Sequence, residues 1–150
     1  MKEKYKELKL KYGLPEYSWL NNEFEICQIE AADFLLKDIV KKITEKIEFY
    51  AKTLEELFHP ESNIAAMHEC DVFDSEEKKK MFEVFKRLLH HHRTAMILDL
   101  NYSEDAYAKH INTLFKEWPK LRSDLSTIIG KTRNCWSSPI SSNDESGYFG

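Results

Sequence analysis

Hydrophobic residues recur at helical spacing in the first half of the chain. They step alternately by four and three residues over six intervals, which is the rhythm of a heptad seam. The seam consists of Leu36, Val40, Ile43, Ile47, Tyr50, Leu54 and Leu57. Most positions between them are Lys or Glu. We therefore predict an amphipathic helix from about Glu30 to Phe58, roughly 40 Å long at ~1.5 Å per residue.

The same rhythm returns in the last third of the chain. Its members are Tyr107, Ile111, Leu114, Trp118, Leu121, Leu125 and Ile128. Pro119 lies inside this series without shifting its phase. Proline has no backbone N–H, and its ring clashes with the preceding turn of a helix. Two alternatives follow: a continuous helix that is kinked at Pro119, or a break at which Pro119 begins a second helix.

A third long helix is expected between these two. Asp74 followed by Glu77 matches a capping box, with Asp in place of Ser or Thr, just before an apolar run. We predict that its inward face carries Met81, Phe82, Phe85, Leu88, Leu89, His92, Ala95 and Met96. Asn101 or Ser103 is expected to cap the helix that follows, because both residue types are favourable N-caps.

The remaining segments are shorter. We predict short helices over Lys2–Lys11 and Leu14–Phe24. We predict an ordered connector over Pro60–Phe73. The whole pattern predicts an all-α fold, in which three long amphipathic helices form a bundle and shorter N-terminal helices cover it. We expect one domain over residues 1–136 and a flexible polar tail over residues 137–150, which are rich in Ser and Gly.

Composition narrows the classes of function. The chain has 150 residues, of which 42% are hydrophobic and 32% charged, so it suits one domain with a real core. Only four Gly and four Pro are present, which counts against a turn-rich sandwich or barrel. The formal net charge of −4 gives no global basic field that would favour nucleic acid or an anionic membrane.

Cysteine usage and the N-terminal pattern predict a cytoplasmic location. The chain has three cysteines, Cys27, Cys70 and Cys135, and no Cys-x-x-Cys pair. Because the number is odd and the spacing wide, a disulfide framework is not expected. The stretch Met1–Tyr12 alternates charged and apolar residues and has no apolar core of a secretory signal. No apolar run approaches the ~18 residues that a membrane span needs.

Consecutive histidines occur at His90, His91 and His92. On a helix they project about 100° apart, so they cannot together form one tripodal site. His92 falls on the predicted apolar face, and we interpret it as a core histidine with a hydrogen-bond partner. The alternative is a buried ligand or proton carrier, for which His110 is the expected partner.

Two short patterns carry possible metal ligands. Glu56 and His59 form one Glu-x-x-His motif, whereas di-iron bundles use two such motifs and further carboxylates. His68 and Cys70 have the right ligand types for zinc, but not the paired spacing of a structural site. The full set of candidate metal ligands, with zinc or iron as the ion, is Glu56, His59, His68, Cys70, His92 and His110.

Other catalytic patterns are weak or absent from the sequence. Glu45 and Glu48 have the spacing of an acidic pair that binds Mg²⁺ in helical nucleotide hydrolases, but they lie opposite the seam among lysines and predict a solvated face. The sequence contains no Gly-x-Ser-x-Gly motif, P-loop or Gly-x-Gly-x-x-Gly motif.

One basic stripe is expected on the third helix. It consists of Lys79, Lys86, His90 and Arg93. Phosphates or an acidic partner can bind such a stripe, but acidic residues interrupt it and aromatic residues do not alternate with its charges. We therefore favour a solvated face and keep association with nucleic acid as the weaker alternative.

Four stretches together resemble a group of small, uncharacterised all-helical archaeal proteins. They are Lys11–Ile26, Phe34–Leu57, Ser62–Cys70 and Phe115–Pro119. The resemblance covers most of the chain except the tail. It implies a helical cytosolic protein and brings no known activity, cofactor or catalytic residue with it.

The sequence thus favours a non-enzymatic helical interaction protein without a cofactor, which self-associates or binds a partner's helix. Aromatic residues make up 13% of the chain and leave Tyr17, Trp19 and Trp136 for an interface. The alternative is a metal-dependent helical enzyme that uses the His, Glu and Cys ligands named above.

Overall fold

A computed structural model describes residues 1–30, 33–61 and 63–137. This part of the chain contains helices and no strand, which confirms the predicted all-α class. The α-helices are α1 (Lys2–Tyr12), α2 (Tyr17–Phe24), α3 (Leu35–Phe58), α4 (Ile64–Cys70), α5 (Ser75–Leu100) and α6 (Glu104–Cys135). A single 3₁₀ turn, Ile26–Gln28, follows α2. All of the predicted tail except Ser137 lies outside the described residues.

Local capping chemistry sets the start of α5 and α6. Asp74 Oδ1 accepts a hydrogen bond from the Glu77 N–H at 2.8 Å, and Glu77 Oε1 accepts one from the Asp74 N–H at 3.1 Å. This reciprocal pair confirms the predicted capping box. Ser103 caps α6 through its hydroxyl, which accepts from the Ala106 N–H at 3.2 Å. Asn101, the other predicted cap, instead ends α5.

The N-terminal helices begin and end where backbone chemistry requires. Gly13 ends α1 in the left-handed conformation, with φ 64°, and its N–H donates to the Lys9 carbonyl. The second helix begins at Tyr17, later than the predicted Leu14, because a residue that precedes a proline avoids the helical region and Pro15 follows Leu14 directly.

The long helix α3 begins at Leu35, so the predicted start at about Glu30 is wrong. Phe34 adopts a non-helical backbone with φ −127° and ψ 60°. Ile26, in the 3₁₀ turn, and Ile29, which follows that turn, come before this point and pack on the core without extending the heptad seam. Apolar residues that precede a helix can therefore contribute to the core without belonging to that helix.

The three longest helices pack against one another. Arg87 pairs with Asp124 at 2.7 Å and His91 with Glu117 at 2.6 Å, so α5 runs antiparallel to α6. Lys37, near the start of α3, pairs with Asp99, near the end of α5, at 3.4 Å. Because α5 is antiparallel to both neighbours, α3 and α6 run parallel.

The two predicted seams form the centre of the core. Every seam residue of α6 is buried, and so is every seam residue of α3 except the half-buried Tyr50. Pro119 lies inside α6, which continues from Glu104 to Cys135, so the predicted alternative of a break at Pro119 is wrong. Pro119 is exposed while Trp118 and Leu121 are buried, and the seam keeps its phase across it. A kink at this position stays a prediction.

The predicted inward face of α5 is partly wrong. Phe82 and Met96 are exposed, and Phe85, Leu89 and His92 are only half-buried. The buried residues of α5 are Met81, Val84, Leu88, His91, Ala95 and Leu98. The cause is that α5 carries apolar residues on more than one side, so its periodicity does not identify the face that meets α3 and α6.

We predict that core burial in α3 dominates stability. Leu54 is 0% exposed and Leu10, on α1, is 83% exposed. Leu54→Ala should therefore lower the free energy of unfolding by about 2–5 kcal/mol, because it leaves a cavity. Leu10→Ala is the matched control and should change it by less than about 0.5 kcal/mol. Urea denaturation followed by circular dichroism measures both, and equal losses in the two variants would contradict the observed packing.

Candidate functional site

The six candidate metal ligands are distributed over four helices and their ends. Within the described ranges, no group of three or more His, Cys, Asp or Glu side chains is placed to hold a metal ion. Glu56 accepts a hydrogen bond from Asn63 Nδ2 at 3.3 Å, and the exposed His59 ends α3. The predicted metal site therefore stays a prediction, and the described residues do not bring three of its ligands together.

The α4 candidates take part in local packing. The His68 ring lies 4.6 Å from the Trp136 ring, and Trp136 Nε1 donates to the Glu69 carboxylate at 3.2 Å. Cys70 is half-buried, and its thiol donates to the Met67 carbonyl at 3.2 Å. Burial raises the pKa of the Cys70 thiol above its ordinary value, which disfavours the thiolate that binds metals.

The core histidine of α5 is His91, so the prediction that His92 occupies this position is wrong. His92 is half-buried, and its Nδ1 lies 2.7 Å from Arg93 Nη1. His91 is 3% exposed. The error follows from the rotation of α5, since a shift of one residue exchanges the two histidines. His110 was the expected partner of His92, but the structure places it beside His91, with ring centroids 5.7 Å apart.

The His91–His110 pair is buried between α5 and α6 and only partly hydrogen-bonded. His91 Nε2 lies 2.6 Å from Glu117 Oε2, and because a carboxylate accepts, this nitrogen donates. His110 is 6% exposed, and its Nε2 has no hydrogen-bond partner in the described part of the chain. A buried nitrogen without a hydrogen-bond partner lowers the free energy of unfolding, so His110 destabilises the folded chain.

Electrostatics keeps both imidazoles neutral at pH 7. The pKa of His110 is lowered to about 4, mainly by burial and further by the neighbouring His91 and His90, while Glu117 opposes the shift. Burial also lowers the pKa of His91, against the raising effect of its hydrogen bond to Glu117. Neither group is therefore poised for acid–base chemistry at neutral pH.

The basic stripe of α5 is partly neutralised along the same helix. Lys79 lies 3.7 Å from Glu76, and Lys86 lies 3.7 Å from Glu83. All four side chains are well exposed. This arrangement agrees with a solvated, charge-balanced face.

Exposed apolar side chains cluster where α3 begins and α5 ends. On α5, Met96, Ile97 and Leu100 are 51%, 61% and 82% exposed. Phe34 and Tyr102 are also exposed, and their rings contact each other at 5.4 Å. We call these five residues the α5 apolar surface. The sequence pattern does not predict this surface, because Met96 falls on the stripe expected to face the core. The excess of apolar residues near the end of α5 is the signal that indicates it.

A groove of about 540 Å³ lies beside this surface between α3 and α5. We call it the α3–α5 groove; it is lined by Lys37, Val40, Lys41, Thr44, Glu45, Glu48, Ala95, Met96, Asp99, Leu100 and Tyr107. Along α3 its rim is basic at Lys37 and Lys41 and acidic at Glu45 and Glu48. Lys42 pairs with Glu45 at 3.8 Å, as expected for a solvated face.

The aromatic residues expected at an interface are partly engaged within the chain. The half-buried Trp19 packs against Phe115 with ring centroids 4.7 Å apart. Tyr17 is half-buried as well, and its ring lies 5.6 Å from that of Tyr5. Trp136 is exposed, although its ring contacts His68, and further exposed apolar side chains lie on α5.

No family model matches this chain, and none of the curated proteins or solved structures compared with it does either. The resemblance to small archaeal all-helical proteins therefore stays a prediction. Within the described residues, no helix combines the length and apolar character that a bilayer span requires.

We predict that the buried histidines make stability depend on pH. The pKa of His110 is about 4 in the folded chain and about 6.5 when unfolded, so the unfolded chain binds the proton first as pH falls. Stability from His110 is complete above about pH 6.5 and is lost progressively toward pH 4. Between about pH 7.5 and pH 5 the loss is about 2 kcal/mol.

The variant His110→Leu removes this titration and should flatten the pH dependence of the free energy of unfolding, measured with urea at both pH values. His91 titrates in the same direction and leaves a residual slope. The control His59→Leu changes an exposed histidine and should retain the full slope. If the free energy of unfolding fell by the same amount between about pH 7.5 and pH 5 in the wild type and in His110→Leu, His110 would not be the source of the pH dependence.

Proposed function

We propose that this chain is a non-enzymatic helical interaction protein that pairs with a second copy of itself through the α5 apolar surface and the α3–α5 groove. The observation that supports this most strongly is the exposure of Leu100, Ile97 and Met96 on the last turns of one helix. Large contiguous apolar patches are unusual on monomeric proteins and commonly mark interaction sites.

The charge order along α3 favours a second copy over an unrelated partner. Lys37 and Lys41 precede Thr44, whereas Glu45 and Glu48 follow it, and all five line the same groove. Lys37, Glu45 and Glu48 also form exposed ion pairs within the chain, which pairing would exchange for contacts with the second copy. A two-fold axis near Thr44 sets two α3 helices antiparallel. The basic end of each rim, with the α5 apolar surface beside it, then lies against the acidic end of the other copy's groove. This is the self-complementarity that a symmetric interface requires.

The expected affinity is moderate. Burying the five partly exposed side chains of the α5 apolar surface on each of the two copies contributes on the order of 10–20 kcal/mol. Association costs on the order of 4–15 kcal/mol in lost freedom of motion. The two are comparable, so pairing should be reversible and depend on protein concentration.

Sedimentation velocity over a range of concentrations tests the proposal. The wild type should shift from monomer to dimer as concentration rises, and Leu100→Glu should stay monomeric because it places a charge in the apolar contact. Leu10→Glu is the matched control, since Leu10 is equally exposed but lies on α1, and it should dimerise as the wild type does.

A charge reversal tests the arrangement of the two copies. Lys41→Glu should weaken pairing because it faces the partner's acidic rim, and Lys41→Glu combined with Glu48→Lys should restore it.

A wild type that is monomeric at all concentrations, or a Leu100→Glu variant that dimerises normally, would overturn the proposal. Failure of the double variant to recover would overturn the antiparallel arrangement.

A further inference from the structure

A second groove lies between α3 and α6, away from the α5 apolar surface. It encloses about 440 Å³, within the usual size range of small-molecule sites. We call it the α3–α6 groove; its lining residues are Lys46, Tyr50, Trp118, Arg122, Leu125, Ser126, Ile129, Gly130 and Arg133. Three of these are cations and none is a carboxylate.

Two of the cations converge at one end of the groove. Lys46 Nζ donates to the main-chain carbonyl of Glu23 at 2.5 Å, and Arg122 Nη1 lies 3.1 Å from Glu23 Oε1. Trp118 Nε1 donates to the other oxygen of this carboxylate at 2.7 Å. Glu23 therefore positions both cations and neutralises one of them, and the end stays positively charged.

Arg133 stands at the other end. It follows Arg122 by eleven residues, or about 16 Å along α6. Its guanidinium donates to Asn134 Oδ1 at 3.3 Å, and no carboxylate of the described residues lies within ion-pair distance of it. Its charge is thus available to a ligand in the groove.

The surface between the two charged ends is open and carries apolar side chains, with one hydroxyl from Ser126. Leu125 and Ile129 lie on α6, with Tyr50 on α3 facing the same space. A Cβ atom added at Gly130 would meet no heavy atom within 4 Å, so this glycine leaves room in the groove. A flat apolar group has space here, between cations at either end.

We propose that the α3–α6 groove binds a small phosphate-bearing molecule with a planar apolar portion, of the nucleotide class. Arginine guanidinium groups match phosphate in geometry and charge, and Tyr50 with its aliphatic neighbours offers a surface for the planar group. The groove is separate from the proposed dimer surface, so neither proposal depends on the other.

Isothermal titration calorimetry of the full chain with ADP, inorganic pyrophosphate and adenosine tests the ligand class. ADP should bind more tightly than pyrophosphate, and adenosine should bind at least tenfold more weakly than ADP. Pyrophosphate binding as tight as that of ADP would overturn the role of the apolar surface. Absence of ADP binding at millimolar concentration would overturn the site.

Three variants locate the binding. Arg133→Ala should weaken ADP binding at least tenfold, whereas Arg93→Ala, which removes an exposed arginine of α5, should leave it unchanged. Gly130→Leu retains every charge but fills the groove, and it should abolish binding without lowering the thermal midpoint, because the residue that replaces glycine is a better helix former. Equal weakening in Arg93→Ala and Arg133→Ala, or normal binding in Gly130→Leu, would show that ADP binds elsewhere.

Discussion

The structure depends on the burial of two parallel apolar seams, one on α3 and one on α6, with α5 closing the core from the side. Fully buried residues such as Ile43, Leu54 and Leu121 lie on these seams. Hydrophobic burial supplies most of the free energy that offsets the loss of chain entropy on folding. The polar features, including the buried histidines and both grooves, are positioned by the way this core packs.

The buried face of a helix could be predicted from the sequence where its apolar residues form a single stripe. The seams of α3 and α6 each have a single apolar stripe, and the capping box at Asp74 needs only residues three apart; the structure confirms all three. The prediction failed on α5, where apolar side chains surround much of the helix. The predicted start of α3 was also wrong, because Phe34 has a non-helical backbone and the helix begins only after it.

The candidate sites were harder to predict because they join residues that are distant in sequence. Lys46 and Arg122 share Glu23, but the three are far apart along the chain. His91 and His110 meet only because α5 is antiparallel to α6 and rotated by about one residue from the predicted phase. Charge order along a helix is visible in the sequence; which helices form the two walls of a groove is not.

The contacts between the first helices and α6 also constrain how the chain folds as it is synthesised. Tyr12 bonds Glu104 and Asn112, while Glu23 bonds Trp118, across separations of 92, 100 and 95 residues. At about 5–20 residues per second, a ribosome takes several seconds to make the intervening chain. During that interval α1 and α2 lack their partners on α6, and their apolar faces are open to chaperones or to other nascent chains.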